Sequence, residues 1–177
     1  INPADIWAAH AVTHILQMQG RFAEGVVFMG SVKANWINAD NFVNHMHWHQ
    51  ALLYIELGQI DQALNIYDEL LIAPIRDDFY LDVCNSASLL WRFMMLDIDV
   101  GDRWHHLLDT SIRRVEDDEL VFATLHYLMA PAVLGDQETI RRCLNNIETW
   151  SARTESQSLV CRYIGMALAE LLGQVTP

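Results

Sequence analysis

Histidines are the residues of this chain whose type and spacing could support chemistry. Of the 177 residues eight are histidine, and five of these lie between positions 10 and 49. His10 and His14 are four residues apart, as are His45 and His49. A four-residue step places two imidazoles on one face of a helix, which is the geometry that a shared metal ion requires. If two such helices stack, we expect the four imidazoles to meet.

Three interpretations of this cluster remain open. The first is a divalent metal site, with zinc as the candidate ion and His10, His14, His45 and His49 as ligands. The second is a pocket for a non-metal ligand or a reaction, because the pKa of histidine lies near neutrality. The third is structural packing, since histidine is more often a half-buried residue of an amphipathic helix than a ligand, and no H-E-x-x-H motif is present. We therefore expect no resident cofactor unless the cluster holds such a cation.

Composition and the lack of other motifs narrow the function classes. The chain has 11 Lys and Arg against 23 Asp and Glu, a formal net charge of −12, which disfavours nucleic-acid and membrane partners. No apolar run approaches the ~20 residues of a membrane span. Phosphate-binding loops, G-x-S-x-G elbows, C-x-x-C knuckles and Rossmann fingerprints are absent from the sequence. Three widely spaced cysteines, Cys84, Cys143 and Cys161, indicate reduced, buried thiols and a cytoplasmic location.

The helices that would carry the histidines belong to a repeat. A motif recurs at Gly20, Gly58 and Gly135: an apolar stretch, then a glycine, then an amphipathic run. The first part of the same motif is present again at Gly173. The spacing is 38 residues from Gly20 to Gly58 and again from Gly135 to Gly173, and 77 residues in between. Asp97 lies where the missing copy should be. Each copy predicts a helical hairpin whose first helix ends in a left-handed residue.

The repeat predicts an all-α fold. We expect a TPR-like α-solenoid, a right-handed superhelix of four antiparallel helix pairs plus a terminal helix, as one domain over residues 1–177. The first helices are predicted at 5–19, 42–57, 79–96, 119–134 and 158–172, and the second helices at 21–34, 59–72, 101–115 and 136–150. The first helices would line a concave groove. The groove candidates are His10, His14, His45, Trp48, His49, Asn85 and His126.

Five short stretches carry a more specific likeness, which extends along almost the entire chain: 10–21, 48–52, 89–92, 100–104 and 126–130. Together they resemble the tetratricopeptide repeat protein 38 family. The resemblance implies that relatives commonly keep the histidines at 10, 14, 45, 49 and 126. It also implies that relatives carry Asp where this chain has Asn85 and Thr124, a departure that would weaken a mixed histidine and carboxylate site. Family members are longer at both ends, so we expect a fragment of a longer protein, with an uncapped solenoid end through which copies could associate.

For function, the repeat favours a binding scaffold. A concave groove would engage a peptide, a protein segment or a small ligand, and the acidic chain favours a basic or neutral one. The alternative is a small-molecule or metal-dependent enzyme, hydrolase-like, that uses the histidine cluster. The spacing of residues does not decide between them.

Overall fold

The computed structural model describes residues 2, 4–36, 39–77 and 79–175, and every regular element in these ranges is helical. The all-α prediction is therefore confirmed for the described chain. The residues form two compact units, Ile1–Asp77 and Asp78–Pro177, which we call the first and second units. A single repeat domain over the whole chain stays a prediction.

The first unit contains four α-helices and short extensions of them. They are α1 (Ile6–Met18), α2 (Phe22–Val32, extended by a 3-10 turn at Lys33–Asn35), α3 (Phe42–Glu56) and α4 (Ile60–Ile66, continued by a π-helical turn at Tyr67–Leu71), followed by a 3-10 helix at Ala73–Asp77. The side chain of Asp5 caps α1, because its carboxylate accepts a hydrogen bond of 3.0 Å from the N–H of Ala8.

The second unit continues the alternation of long helices and short turns. Its elements are α5 (Tyr80–Met95), a 3-10 helix at Gly101–Trp104 that leads into α6 (His105–Arg114), α7 (Val121–Leu134), α8 (Gln137–Ser151), α9 (Ser156–Val160), a π-helical turn at Cys161–Gly165 and α10 (Met166–Gly173). When the short extensions are included, both ends of every predicted helix lie within two residues of the observed ends.

The same turn ends α1, α3, α5 and α7. Gly20, Gly58 and Gly135 have φ angles of 69, 70 and 73°, and Asp97 has a φ angle of 56°. In each turn the following residue donates its N–H to a carbonyl oxygen five residues earlier at 2.9 Å, the pairs being Arg21–Leu16, Gln59–Tyr54, Ile98–Phe93 and Asp136–Pro131. This is the Schellman arrangement, in which a left-handed residue satisfies the last carbonyls of a helix. The predicted helix-ending role of these four positions is confirmed.

The fifth copy of the turn, predicted at Gly173, is wrong. Gly173 is the last residue of α10 and is not among the residues with positive φ. A Cβ atom at this position would lie 3.0 Å from Cγ2 of Ile140. The absence of a side chain at Gly173 therefore serves the close packing of α10 on α8.

The first unit packs around α3, which contacts α1, α2 and α4. Because neighbours lie on several sides of it, α3 buries residues around much of its circumference, from Met46 to Leu53. A Cβ atom on Gly25 would lie 2.9 Å from Cδ1 of Leu53, so this glycine permits the close approach of α2 and α3. The core residues are Ile6, Ala9, Met29, Val32, Trp36, Met46 and Leu53.

The second unit has its own apolar core. Its buried members are Val115, Val121, Leu128, Ile140, Cys143, Ile147, Trp150, Cys161 and Ala169. All three cysteines are free and buried, as predicted, and burial raises the pKa of Cys84 and Cys143 to about 12. These thiols stay protonated and serve as packing. In the part of the chain that the structure describes, no helix combines the length and apolarity needed to cross a membrane.

Candidate metal centre

The two helices that carry the histidine pairs, α1 and α3, lie side by side. Three ring contacts join them, with centroid distances of 4.0 Å for Trp7–Phe42, 5.0 Å for His10–His45 and 4.5 Å for His14–His49. The two residues of each contact are 35 positions apart in the sequence. The contacts therefore follow the same order along both helices, which means that the helices are parallel. This offset is shorter than the 38-residue spacing of the turns. The residues that face each other are therefore not equivalent positions of the repeat.

The imidazole Nε2 atoms of both helices converge on one point. Nε2 of His10 lies 3.2 Å from Nε2 of His45 and 3.0 Å from Nε2 of His49. The third edge, between His45 and His49, is 3.2 Å, so the three atoms form a nearly equilateral triangle. Nε2 of His14 lies 2.9 Å from Nε2 of His10 on the exposed side of this triangle. The meeting of four imidazoles that the spacing predicts is present in the structure.

Hydrogen bonding alone cannot account for these contacts. Each Nε2 atom carries either one hydrogen or one lone pair in the plane of its ring, so it can take part in one hydrogen bond. Four nitrogens can form two such bonds at most, yet four short Nε2–Nε2 contacts join them. At least two of the four contacts therefore join Nε2 atoms that have no hydrogen bond between them. A single cation at the centre of the triangle would satisfy all three of its lone pairs.

Burial and mutual proximity keep the central imidazoles neutral. Burial, followed by the charges of His45, His14 and His10, lowers the pKa of His49 to about 2, and only 1% of this residue is exposed. Burial, followed by the charges of His14 and His45, lowers the pKa of His10 to about 4. At neutral pH both rings therefore lack the extra proton that would compete with a metal ion.

Gln17 sets the tautomer of the most buried ring. Nδ1 of His49 lies 3.3 Å from Oε1 of Gln17, to which it donates its hydrogen. Nε2 of His49 is then left with a lone pair that points into the triangle. Hydrogen bonds of this kind to the second ring nitrogen orient metal-binding histidines in proteins generally.

The size of the triangle fits a transition metal. With metal–nitrogen distances of about 2.0–2.1 Å, edges of 3.0–3.2 Å correspond to N–metal–N angles of roughly 95–105°. An ion at this distance would be held by His10, His45 and His49 together. Three histidines would fill three of its coordination positions and leave the others to further ligands.

Aromatic side chains surround the triangle. Trp7 stacks on Phe42, whose ring in turn meets the ring of His10 at 5.1 Å. On the other side the ring of Trp48 stacks on His45 at 5.3 Å, so this groove candidate contacts the cluster directly. Trp7 is 66% exposed, whereas the other two aromatic residues are half-buried. An apolar wall therefore borders the histidines on the surface that faces solvent.

The remaining groove candidates, Asn85 and His126, belong to the second unit. Asn85 is buried in α5. Nδ1 of His126 donates to the carbonyl oxygen of Phe122 at 2.7 Å, and burial lowers the pKa of His126. The hydroxyl of Thr124 donates to the carbonyl oxygen of Asp117 at 2.9 Å, which is a structural bond. Their membership in one pocket with the first-unit histidines stays a prediction.

Sequence reasoning missed three residues of the site, Trp7, Gln17 and Phe42, of which Trp7 lies three residues before His10. Gln17 lies three residues after His14, and Phe42 lies three residues before His45, so both share a helix face with the histidines. This spacing is the signal that could have found them. His47, the fifth histidine between positions 10 and 49, is buried, and its ring lies 5.9 Å from that of Trp36.

No protein-family model and no solved structure matches the chain. The function proposed below therefore rests on the geometry of the first unit. The strongest feature of that geometry is the triangle of Nε2 atoms.

Proposed function

We propose that the first unit binds one divalent transition-metal ion through Nε2 of His10, His45 and His49. The observation that carries this proposal is the set of short contacts between nitrogens that hydrogen bonds cannot all occupy. A cation at the centre of the triangle attracts the lone pairs of all three Nε2 atoms at once. The depressed pKa values of His10 and His49 keep those lone pairs available at neutral pH.

The ligand set selects the class of metal. Neutral imidazole nitrogen suits zinc, copper, nickel and cobalt, whereas magnesium and calcium require oxygen ligands. In our proposal the resident ion is zinc, because three histidine ligands and an open fourth position are a common arrangement for it. Gln17 would act behind the ligands by holding the ring of His49 in the metal-binding tautomer.

The wider setting of this site in our proposal is a TPR-like solenoid. Four identical turns at near-constant spacing and the parallel contact of α1 with α3 support this arrangement. In it, the metal would join the first helix of one pair to the first helix of the next. Membership in the tetratricopeptide repeat protein 38 family, a cytoplasmic location, and a groove that binds a peptide or protein partner remain parts of this proposal. Association of copies and the hydrolase-like alternative also remain predictions.

Metal binding is tested on the purified chain after treatment with a chelator. We expect one Zn²⁺ per chain by calorimetry and elemental analysis. At a free zinc concentration of 100 times Kd, binding adds about 2.7 kcal/mol to the stability of the folded state. For a protein of this size this corresponds to a rise in the unfolding temperature of about 5–10 °C.

Two variants and one control make the test specific. His49→Ala removes the buried ligand and His10→Ala removes a half-buried one, so we expect both to lose the zinc-induced rise while far-UV circular dichroism stays unchanged. His105→Ala is the control, since His105 is exposed on α6 of the second unit. Failure of the wild-type chain to bind zinc, or full binding by His10→Ala, contradicts the proposal.

A further inference from the structure

The proposed metal site has no negative charge of its own. In the described residues, the ligand atoms that lie close enough together to share an ion are those of His10, His45 and His49 and include no carboxylate. A divalent ion held by three neutral imidazoles keeps its full charge of two. An ion in this state favours an anion in its remaining positions, because that anion is attracted by a charge that the protein does not neutralise.

The positions left for an anion lie on the accessible side of the triangle. Burial decreases across the cluster, from His49, which is almost fully buried, through the half-buried His10 and His45 to the exposed His14. The core of the first unit includes residues of both helices, so an incoming ligand approaches from the side of the triangle that faces solvent. His14 is also the imidazole that is easiest to move aside, because it is exposed.

An exposed aromatic surface lies one helical turn before His10. Trp7 and His10 are three residues apart on the same face of α1, and their rings meet edge to face at 6.5 Å. Stacking on Phe42 holds the indole in place, and two thirds of Trp7 remain accessible. A tryptophan fixed on one side and exposed on the other presents a flat apolar surface to a ligand.

We infer that the metal site binds small carboxylic acids with an aromatic or apolar body. The carboxylate coordinates the ion, and the body of the ligand packs on Trp7. This inference rests on the proposed metal site and goes beyond it, because a site closed by four histidines would bind zinc and take no further ligand. It gives the histidine cluster a ligand class that the repeat alone does not indicate.

Cobalt provides the probe, because the visible absorption of protein-bound Co²⁺ changes with its ligands. The chain is loaded with one Co²⁺ and titrated separately with benzoate and acetate. We expect both to change the spectrum in a saturable way, with benzoate binding about fivefold more tightly than acetate because of the contact with the indole ring. Trp7→Ala should bring the two affinities together and leave cobalt binding intact.

Tyr163→Ala is the matched control, since Tyr163 is an exposed aromatic residue of the second unit, and it should change neither affinity. If Co²⁺ binds but neither acid changes the spectrum, the ion is coordinatively closed and the inference is wrong, while the metal site stands. If Trp7→Ala keeps the preference for benzoate, the assigned binding surface is wrong. If Co²⁺ fails to bind, the proposed function itself fails.

Discussion

Single side chains decide whether the histidine cluster can be recognised from the sequence. The four-residue spacing places His10 with His14 and His45 with His49, and the structure brings the two pairs together. Which three nitrogens form the triangle depends on the offset between α1 and α3. That offset is set by packing of the whole helices, so the sequence spacing could not predict it. The role of Gln17 depends on the same offset, since its partner His49 belongs to the next hairpin.

A residue-scale prediction concerns His126, which lies in the second unit away from the proposed ligands in sequence. Its pKa in the folded chain is lowered, so between that value and the ordinary value of about 6.5 the unfolded chain binds a proton that the folded chain does not. Stability therefore falls as pH decreases below about 6.5, by no more than about 1.4 kcal/mol per pH unit for this group. His126→Gln removes this contribution.

The measurement is the free energy of unfolding in urea at pH 7.5 and pH 5.5 for both proteins. The wild-type chain should lose more stability than His126→Gln over this interval. Other groups titrate in both proteins alike, so the difference between the two chains isolates His126. An equal loss would show that the folded pKa of His126 is not depressed.

The helix-ending turns are the best predicted elements of the molecule. Glycine or aspartate at a fixed point of the repeated motif predicted five left-handed residues, and four of them are observed, at Gly20, Gly58, Asp97 and Gly135. The signal works because the turn depends on local bonds between residues that are close in sequence. Gly173 carries the same letters, but its surroundings are different, since Ile140 packs against it. The π-helical turns at Tyr67–Leu71 and Cys161–Gly165 have no comparable sequence signal.

Two glycine substitutions test the turns with opposite expected signs. Gly58→Ala places a side chain at a φ angle of 70°, where no neighbour lies within 4 Å of the new atom, so the cost of about 1 kcal/mol comes from the backbone. Gly30→Ala also meets no neighbour, but Gly30 lies inside α2 and is not among the residues with positive φ, so alanine should stabilise the chain by roughly 0.5–1 kcal/mol. Chemical denaturation of both variants beside the wild-type chain measures the two changes. Destabilisation of similar size in both would mean that the turn geometry is not the cause.

At the scale of the whole molecule, the chain divides where the sequence shows an ordinary break between hairpins. The boundary between the two compact units falls at Asp77, shortly after Pro74. Breaks of similar composition occur elsewhere, so the sequence could not single this one out. The division depends on how many contacts each segment makes with distant parts of the chain, which local composition does not record.

This division predicts a local response to metal. Zinc should slow amide hydrogen exchange in α1 and α3. The ion binds the folded form of these helices and not their locally opened form, so it stabilises the elements that hold the ligands. Exchange in α7 and α8 of the second unit should stay unchanged, which provides an internal reference. Mass spectrometry of peptides from the metal-free and zinc-loaded chain measures both. Uniform slowing across the two units would mean that the ion acts elsewhere or on the whole molecule.

The parallel contact between α1 and α3 has a consequence for the symmetry of the site. Since Trp7, His10 and His14 meet Phe42, His45 and His49 in the same order, one helix is related to the next by translation rather than by a two-fold axis. A contact of this kind is head-to-tail, and it is not self-complementary. Each helix must therefore present different side chains to the neighbour before it and the neighbour after it. An imidazole pair gained by one copy of the repeat creates no ion site unless the adjacent copy independently gains its own.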